Sequence, residues 1–157
     1  MTNDTQWVLI ERSFDAPIDA VWNMWTDPAL FSKWYGPNGM TVPVAEMDLT
    51  IGGTRKICME MSRPDGTMSM WFTGAYKEIT PPTRLVYTES MCDADGNLIS
   101  PASMGMPEGT PEVTEVIVEL TEADGQTHMR MSHVGVPAAS PGEGGWMQAF
   151  DKLAGLL

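Results

Sequence analysis

Short stretches with apolar residues at every second position fill the middle of this chain, and helical spacing appears only near its two ends. The run Trp7 to Phe14 (WVLIERSF) mixes β-branched and aromatic residues with partial alternation, which predicts a strand. After it, Ile18, Val21, Trp22 and Trp25 fall at i, i+3, i+4 and i+7, one face of a helix. Ala16-Pro17 opens that helix, with Pro17 at the first helical position and Asp19 in the first turn. Asp27-Pro28 repeats the start signal for a short second helix carrying Leu30, Phe31 and Trp34, which Gly36-Pro37 ends.

From Met40 to Val136 the pattern is that of strands divided by turn residues. Breaks fall at Gly52-Gly53, Pro64-Asp65-Gly66, Pro81-Pro82, the long Asp93 to Pro111 segment and Asp124-Gly125. The six runs between them are MTVPVAEMDLT, TRKICMEMS, TMSMWFTGAYKEI, RLVYTESMC, VTEVIVELT and THMRMSHVGV. Strands joined this closely imply an antiparallel meander. Ser140-Pro141-Gly142-Glu143 then reads as a capping box with Pro at the first helical position. Trp146, Phe150, Leu153 and Leu157 make an apolar stripe on the long helix that follows. Gly142, Gly144 and Gly145 weaken its first turn, so its ordered part is expected to begin nearer Trp146. The order is one strand, two short helices, six strands and one long helix: an α+β domain in which a curved antiparallel sheet must be covered by the C-terminal helix. Such a cover leaves room for a cavity between helix and sheet.

Composition narrows the function. A chain of 157 residues is one domain, 1–157, with no repeats. Its formal net charge of −12 without a basic cluster argues against nucleic acid and anionic membrane surfaces as partners. No apolar run is long enough for a membrane span, and the N-terminus lacks the pattern of a signal peptide. Cys58 and Cys92 are far apart and outside any metal-ligand spacing, which suits buried thiols in the cytoplasm. The departure from the ordinary is 14 methionines. Met is unbranched and polarizable, and is favoured on surfaces that adapt to more than one shape. Ile57, Met59 and Met61 share one strand face by period two, as do Met129, Met131 and His133. On the neighbouring strand Met68, Met70 and Phe72 lie opposite Ser69, Trp71 and Thr73. A two-residue Pro64-Asp65 loop pairs Met61 with Met68. A three-residue loop ending in Gly66 brings Trp71 opposite Met59, and Gly66 after Asp65 favours that second register, with Trp71 inside.

Five segments, in order, carry a family resemblance: SFDAPIDAVWNMWTDPALFSKWYGP, Gly52-Gly53, PDGT, FTGAYKEITPPTRLVYT and GGWMQAFDKLAGLL. Together they resemble the activator-of-heat-shock-ATPase homologue family, of the START-like (SRPBCC) superfamily of helix-grip domains. The resemblance runs from about Trp7 to Leu157. It implies a seven-stranded antiparallel sheet gripping a long C-terminal helix, with a hydrophobic cavity between them. Lipid and steroid carriers, plant hormone receptors, polyketide cyclases and oxygenase domains share that superfamily, so the fold alone does not select a function. The eukaryotic namesake stimulates a heat-shock chaperone and uses a further N-terminal domain to do so. This chain opens at the first strand, so contact with a chaperone is the lesser expectation.

The chemistry within the chain points to binding more than to catalysis. There is no GxSxG, no phosphate-cradling loop and no Cys/His grouping. Asp93-Ala94-Asp95-Gly96-Asn97 lacks the spacing of a calcium loop and reads as a solvated turn. No metal or cofactor is expected. The weak catalytic candidate is His133, the titratable group on a Met face, able in principle to orient or protonate a substrate in an apolar pocket. The expected function is binding of a small hydrophobic, lipid-like, aromatic or polyketide-like molecule, with a cyclase- or hydrolase-type enzyme or a chaperone-associated or self-associating module as alternatives. The expected lining is Trp25, Phe31 and Trp34 from the short helices and Trp146 and Phe150 from the long one. The sheet would add Met59, Met61, Trp71, Tyr87, Met91, Met129, Met131 and His133. Residues 93–111 are long for a meander connection, and either lie over the cavity mouth as a lid or form a surface excursion.

Overall fold

The computed structural model describes residues 6–106 and 109–157, apart from the side chain of Met104. Strand β1 (Trp7–Phe14) leads into helices α1 (Ile18–Thr26) and α2 (Pro28–Trp34). Six strands follow: β2 (Thr41–Met47), β3 (Thr54–Arg63), β4 (Gly66–Thr80), β5 (Arg84–Cys92), β6 (Thr114–Ala123) and β7 (Gln126–Pro137). Helix α3 (Pro141–Leu156) ends the chain. The sheet is antiparallel, in the order β1-β7-β6-β5-β4-β3-β2. Strands β2 to β7 are thus a plain meander, and β1 joins it at the far edge because α1 and α2 carry the chain across one face.

Period two decides what is inside. On β7 Thr127, Met129, Met131, His133 and Gly135 are buried while His128, Arg130 and Val134 are exposed. Val116, Val118 and Leu120 continue that inner face on β6. Helix α3 lays Trp146, Ala149, Phe150 and Leu153 across it. Each such apolar side chain contributes about 1.5–3 kcal/mol by leaving water. The outer face is polar and cross-linked by ion pairs, Lys77 with Glu115 and Arg84 with Glu78 and Glu119. No helix among the described residues is long and apolar enough to cross a membrane.

The helices start differently from their sequence signals in two places. Pro17 precedes the first turn of α1 and does not occupy it. Helix α3 is formed from Pro141 onward, not from Trp146. The capping box is not closed as read: Glu143 Oε1 accepts from the backbone N–H of Ala139, the residue before the N-cap, at 3.1 Å, and Ser140 Oγ is buried without a partner. That carboxylate, together with Glu143 N–H donating to Ser140 O at 3.0 Å, closes a first turn that the glycines alone would leave loose. At α2 the sequence signal works as read, with Asp27 Oδ1 accepting from Ala29 N at 2.9 Å.

The register of β3 and β4 corrects the expectation for Trp71. Arg63 pairs with Gly66, so Pro64-Asp65 is a two-residue loop and Met61 faces Met68, Met59 faces Met70 and Ile57 faces Phe72. Gly66 takes a positive φ of 131° within the strand instead of forming a bulge. Trp71 therefore lies on the outer face, opposite Cys58 and Cys92, with Lys56 Nζ 5.1 Å from its ring centroid.

Candidate ligand-binding site

A cavity of about 930 Å³ opens between the sheet, the N-terminal half of α3, the link after α2 and the loop between β5 and β6. Strand period builds its thioether wall. Met59 and Met70 are cross-strand partners, and Phe72 pairs with Met91. All four line the space, joined by Met40 from the link. Gly36 lets that link come close: it has φ +91°, and a Cβ there would stand 2.8 Å from Met59 Sδ. The link is tied to α3 by Asn38 N–H donating to Gln148 Oε1 at 2.8 Å and by Lys152 Nζ donating to Pro37 O at 3.3 Å. On the opposite side Pro101, Met106 and Pro111 come from the long loop.

A buried charged group at the edge of the cavity was not anticipated. Glu89 on β5 is 6% exposed and Arg55 on β3 is 2% exposed. Arg55 pairs with Gly74 across β3–β4, and Thr73 with Ser90 across β4–β5, so Gly74 is the residue that separates Arg55 from Glu89. It has no side chain to keep them apart, and a Cβ there would collide with the Thr88 carbonyl at 1.8 Å. Arg55 Nη1 lies 3.5 Å from Glu89 Oε2. The guanidinium sits 3.7 Å from the ring centroid of Tyr87 and within 6 Å of those of Phe31 and Tyr76. These aromatic faces replace part of its lost hydration. Tyr35, the residue after α2, donates its hydroxyl to Glu89 Oε2 at 3.1 Å. Burial, reinforced by the charge of Glu89, holds its phenol well above the usual range, so it stays a donor.

His133 has a fixed role beside this group. The Trp146 indole can only donate, and its Nε1–H reaches His133 Nδ1 at 3.0 Å. The imidazole must therefore carry its proton on Nε2, which lies 2.8 Å from Thr114 Oγ1, while Thr114 donates onward to Glu89 O at 3.2 Å. Glu89 Oε1 is 3.9 Å from Nε2, beyond hydrogen-bond reach. Burial lowers the imidazole pKa and Arg55 lowers it further, against an opposite pull from Glu89. His133 is a neutral side chain with both ring nitrogens in use.

Of the sequence-read lining, Met59, Met91, His133 and Trp146 border the cavity. Trp25, Phe31, Trp34 and Phe150 are almost fully buried and do not reach it. They form an aromatic core that joins the three helices, with Trp25 and Trp34 in edge contact at 4.9 Å and Trp34 to Phe150 at 5.9 Å. Its outermost members, Tyr35 and Trp146, are the two that face the cavity. Met129 and Met131 are fully buried core residues between β1 and β6, paired with Leu120 and Val118. Tyr87 packs under Arg55, Met61 is half-buried near the β3–β4 hairpin, and Trp71 points away. The reading missed Arg55 and Glu89, although both share the parity of the inward Met and Tyr residues on their strands. The 93–111 segment divides: Asp93–Asn97 is an exposed turn closed by Asp93 Oδ1 accepting from Asp95 and Asn97 N–H, both at 2.9 Å, whereas its later part walls the cavity. Residues 107–108 of that segment lie outside the described residues.

A long helix gripped by a curved seven-stranded antiparallel sheet, with a cavity between them, defines a START-like helix-grip protein. Residues 15–157 match the family model "Activator of Hsp90 ATPase homolog 1-like protein", and the chain belongs to that family. Its fold is shared with a protein from Chromobacterium violaceum, 27% identical with TM-score 0.75, each chain 96% covered. A Mycobacterium smegmatis protein is 23% identical with TM-score 0.77, covering 99% of this chain and 93% of its own. An AHSA1-like protein from Aeromonas hydrophila is 23% identical with TM-score 0.65, covering 94% and 90%. No curated protein matches.

Proposed function

We propose that this chain binds a small, mainly apolar molecule in the cavity and does not transform it. The observation that carries this reading is the cavity itself: about 930 Å³, walled by Met40, Met59, Met70, Phe72 and Met91 and bordered by Glu89 and His133. That volume suits a drug-sized ligand. Flexible thioethers adapt to a ligand's outline at little strain, at the expense of the rigidity that Val or Ile would give a strand. The imidazole of His133, the candidate for proton transfer read from the sequence, is bound at both nitrogens. The buried thiols Cys58 and Cys92 fit a reducing, cytoplasmic setting.

A titration with neutral N-phenyl-naphthylamine tests the reading. Saturable fluorescence enhancement at one probe per chain is expected, and it should be lost when Met70→Trp fills the cavity. Absence of saturable binding, or binding untouched by that substitution, would overturn it. Family membership supports a second reading, stimulation of a heat-shock ATPase. It requires a rise in the chaperone's ATP hydrolysis on mixing, and an unchanged rate removes it.

A further inference from the structure

We propose that the ligand of this cavity carries a neutral hydroxyl, phenolic or alcoholic, that donates a hydrogen bond to Glu89 Oε1. The inference rests on the cavity being a binding site and specifies the chemistry it selects.

The two oxygens of Glu89 are not equivalent. Oε2 accepts from Tyr35 at 3.1 Å and lies 3.5 Å from Arg55 Nη1. Oε1 accepts no hydrogen bond among the described residues, although the side chain is buried and borders the cavity. Oε1 keeps an opening onto the cavity, which Glu89 borders. A carboxylate oxygen in a largely apolar enclosure is a strong acceptor, and leaving it empty is costly. A ligand donor is what would complete it.

Three kinds of polar group could meet that oxygen, and the charges choose among them. An anionic group, such as a fatty carboxylate, would face Glu89 at short range in a site of low dielectric and is excluded. An ammonium would be attracted by Glu89, but Arg55 already balances that charge. The cation would enter as an uncompensated buried charge close to a guanidinium. A neutral O–H brings the donor without the charge. Beside Glu89, the imidazole nitrogens of His133 and the Thr114 hydroxyl are already engaged with each other, with Trp146 and with the Glu89 backbone, so they do not compete for the ligand's donor.

The test is displacement of bound N-phenyl-naphthylamine by four probes of one shape: para-pentylphenol, its methyl ether, para-pentylbenzylamine and para-pentylbenzoate. The phenol is expected to bind at least roughly tenfold more tightly than the ether, the gap appropriate to a hydrogen bond to a charged acceptor. The amine should fall below the phenol and the benzoate should be weakest. In Glu89→Gln the gap between phenol and ether should shrink. If that variant does not fold, the order in the unaltered protein still decides. Equal affinity of phenol and ether, or preference for the amine or the benzoate, overturns the hydroxyl assignment while leaving the cavity as a binding site. Failure of N-phenyl-naphthylamine to bind removes both.

Discussion

Replacing Arg55 with methionine keeps most of the volume between Tyr87, Phe31 and Tyr76 and removes only the charge. Glu89, 6% exposed, would then keep the Tyr35 hydrogen bond but lose its cation. Breaking a buried ion pair from one side costs about 3–5 kcal/mol, because the remaining charge is left desolvated without compensation. The loss of the guanidinium from the Tyr87 face, at 3.7 Å, acts in the same direction. A domain of this size has about 5–15 kcal/mol in total, so the variant should lose roughly a fifth of its stability or more. At about 2–4 °C per kcal/mol for such a domain, the melting temperature should fall by roughly 6–20 °C. The double variant Arg55→Met/Glu89→Leu removes both charges and should be more stable than Arg55→Met alone. Urea unfolding of the parent, both single variants and the double gives the coupling directly. A loss below about 1 kcal/mol for Arg55→Met, or a double variant equal to the sum of its singles, would refute a coupled buried pair.

Three further outcomes follow from the same geometry. His133 titrates lower in the folded than in the unfolded state, so the unfolded chain binds the extra proton first; its contribution to stability is complete above about pH 6.5 and is lost as pH falls through the lowered pKa. Urea midpoints between about pH 7.5 and 5.5 should therefore drop less in His133→Gln than in the parent, and identical slopes would contradict a neutral imidazole beside Glu89 and Arg55. Gly74→Ala drives a methyl into the Thr88 carbonyl, and a loss of about 3 kcal/mol or more is expected in thermal melts followed by circular dichroism; an unchanged melt would refute the close approach of β4 and β5. Trp71→Ala should leave N-phenyl-naphthylamine affinity unchanged, since Trp71 lies outside, and a marked loss would show the β3–β4 register to be wrong.

The fold was legible because its signals were redundant. The stripe Ile18, Val21, Trp22, Trp25, the Asp27-Pro28 start and the turn residues between strands each specify local structure, and the structure agrees with all of them to within a residue or two. The cavity was legible only in part. Met59, Met91, His133 and Trp146 follow from period and parity, but the aromatic stripes of the short helices went to the core, because three helices on one face must first pack against each other. Trp71 turned on a single residue of loop length, which exchanges the two faces of a strand. Arg55 and Glu89 carried a usable signal: opposite charges at inward parity, in the runs TRKICMEMS and RLVYTESMC. Period alone could not say that they meet, because they stand two strands apart and only the register across Gly74 brings them together.

The most direct test of the cavity is nuclear magnetic resonance of the protein with isotope-labelled methionine methyl groups, titrated with para-pentylphenol. The methyl signals of Met40, Met59, Met70 and Met91 should shift together and saturate, because those residues line the cavity. Those of Met129 and Met131, buried in the core, and of Met147, 47% exposed on α3, should stay in place. Unmoved cavity methyls, or shifts confined to Met147, would contradict a ligand site between sheet and helix.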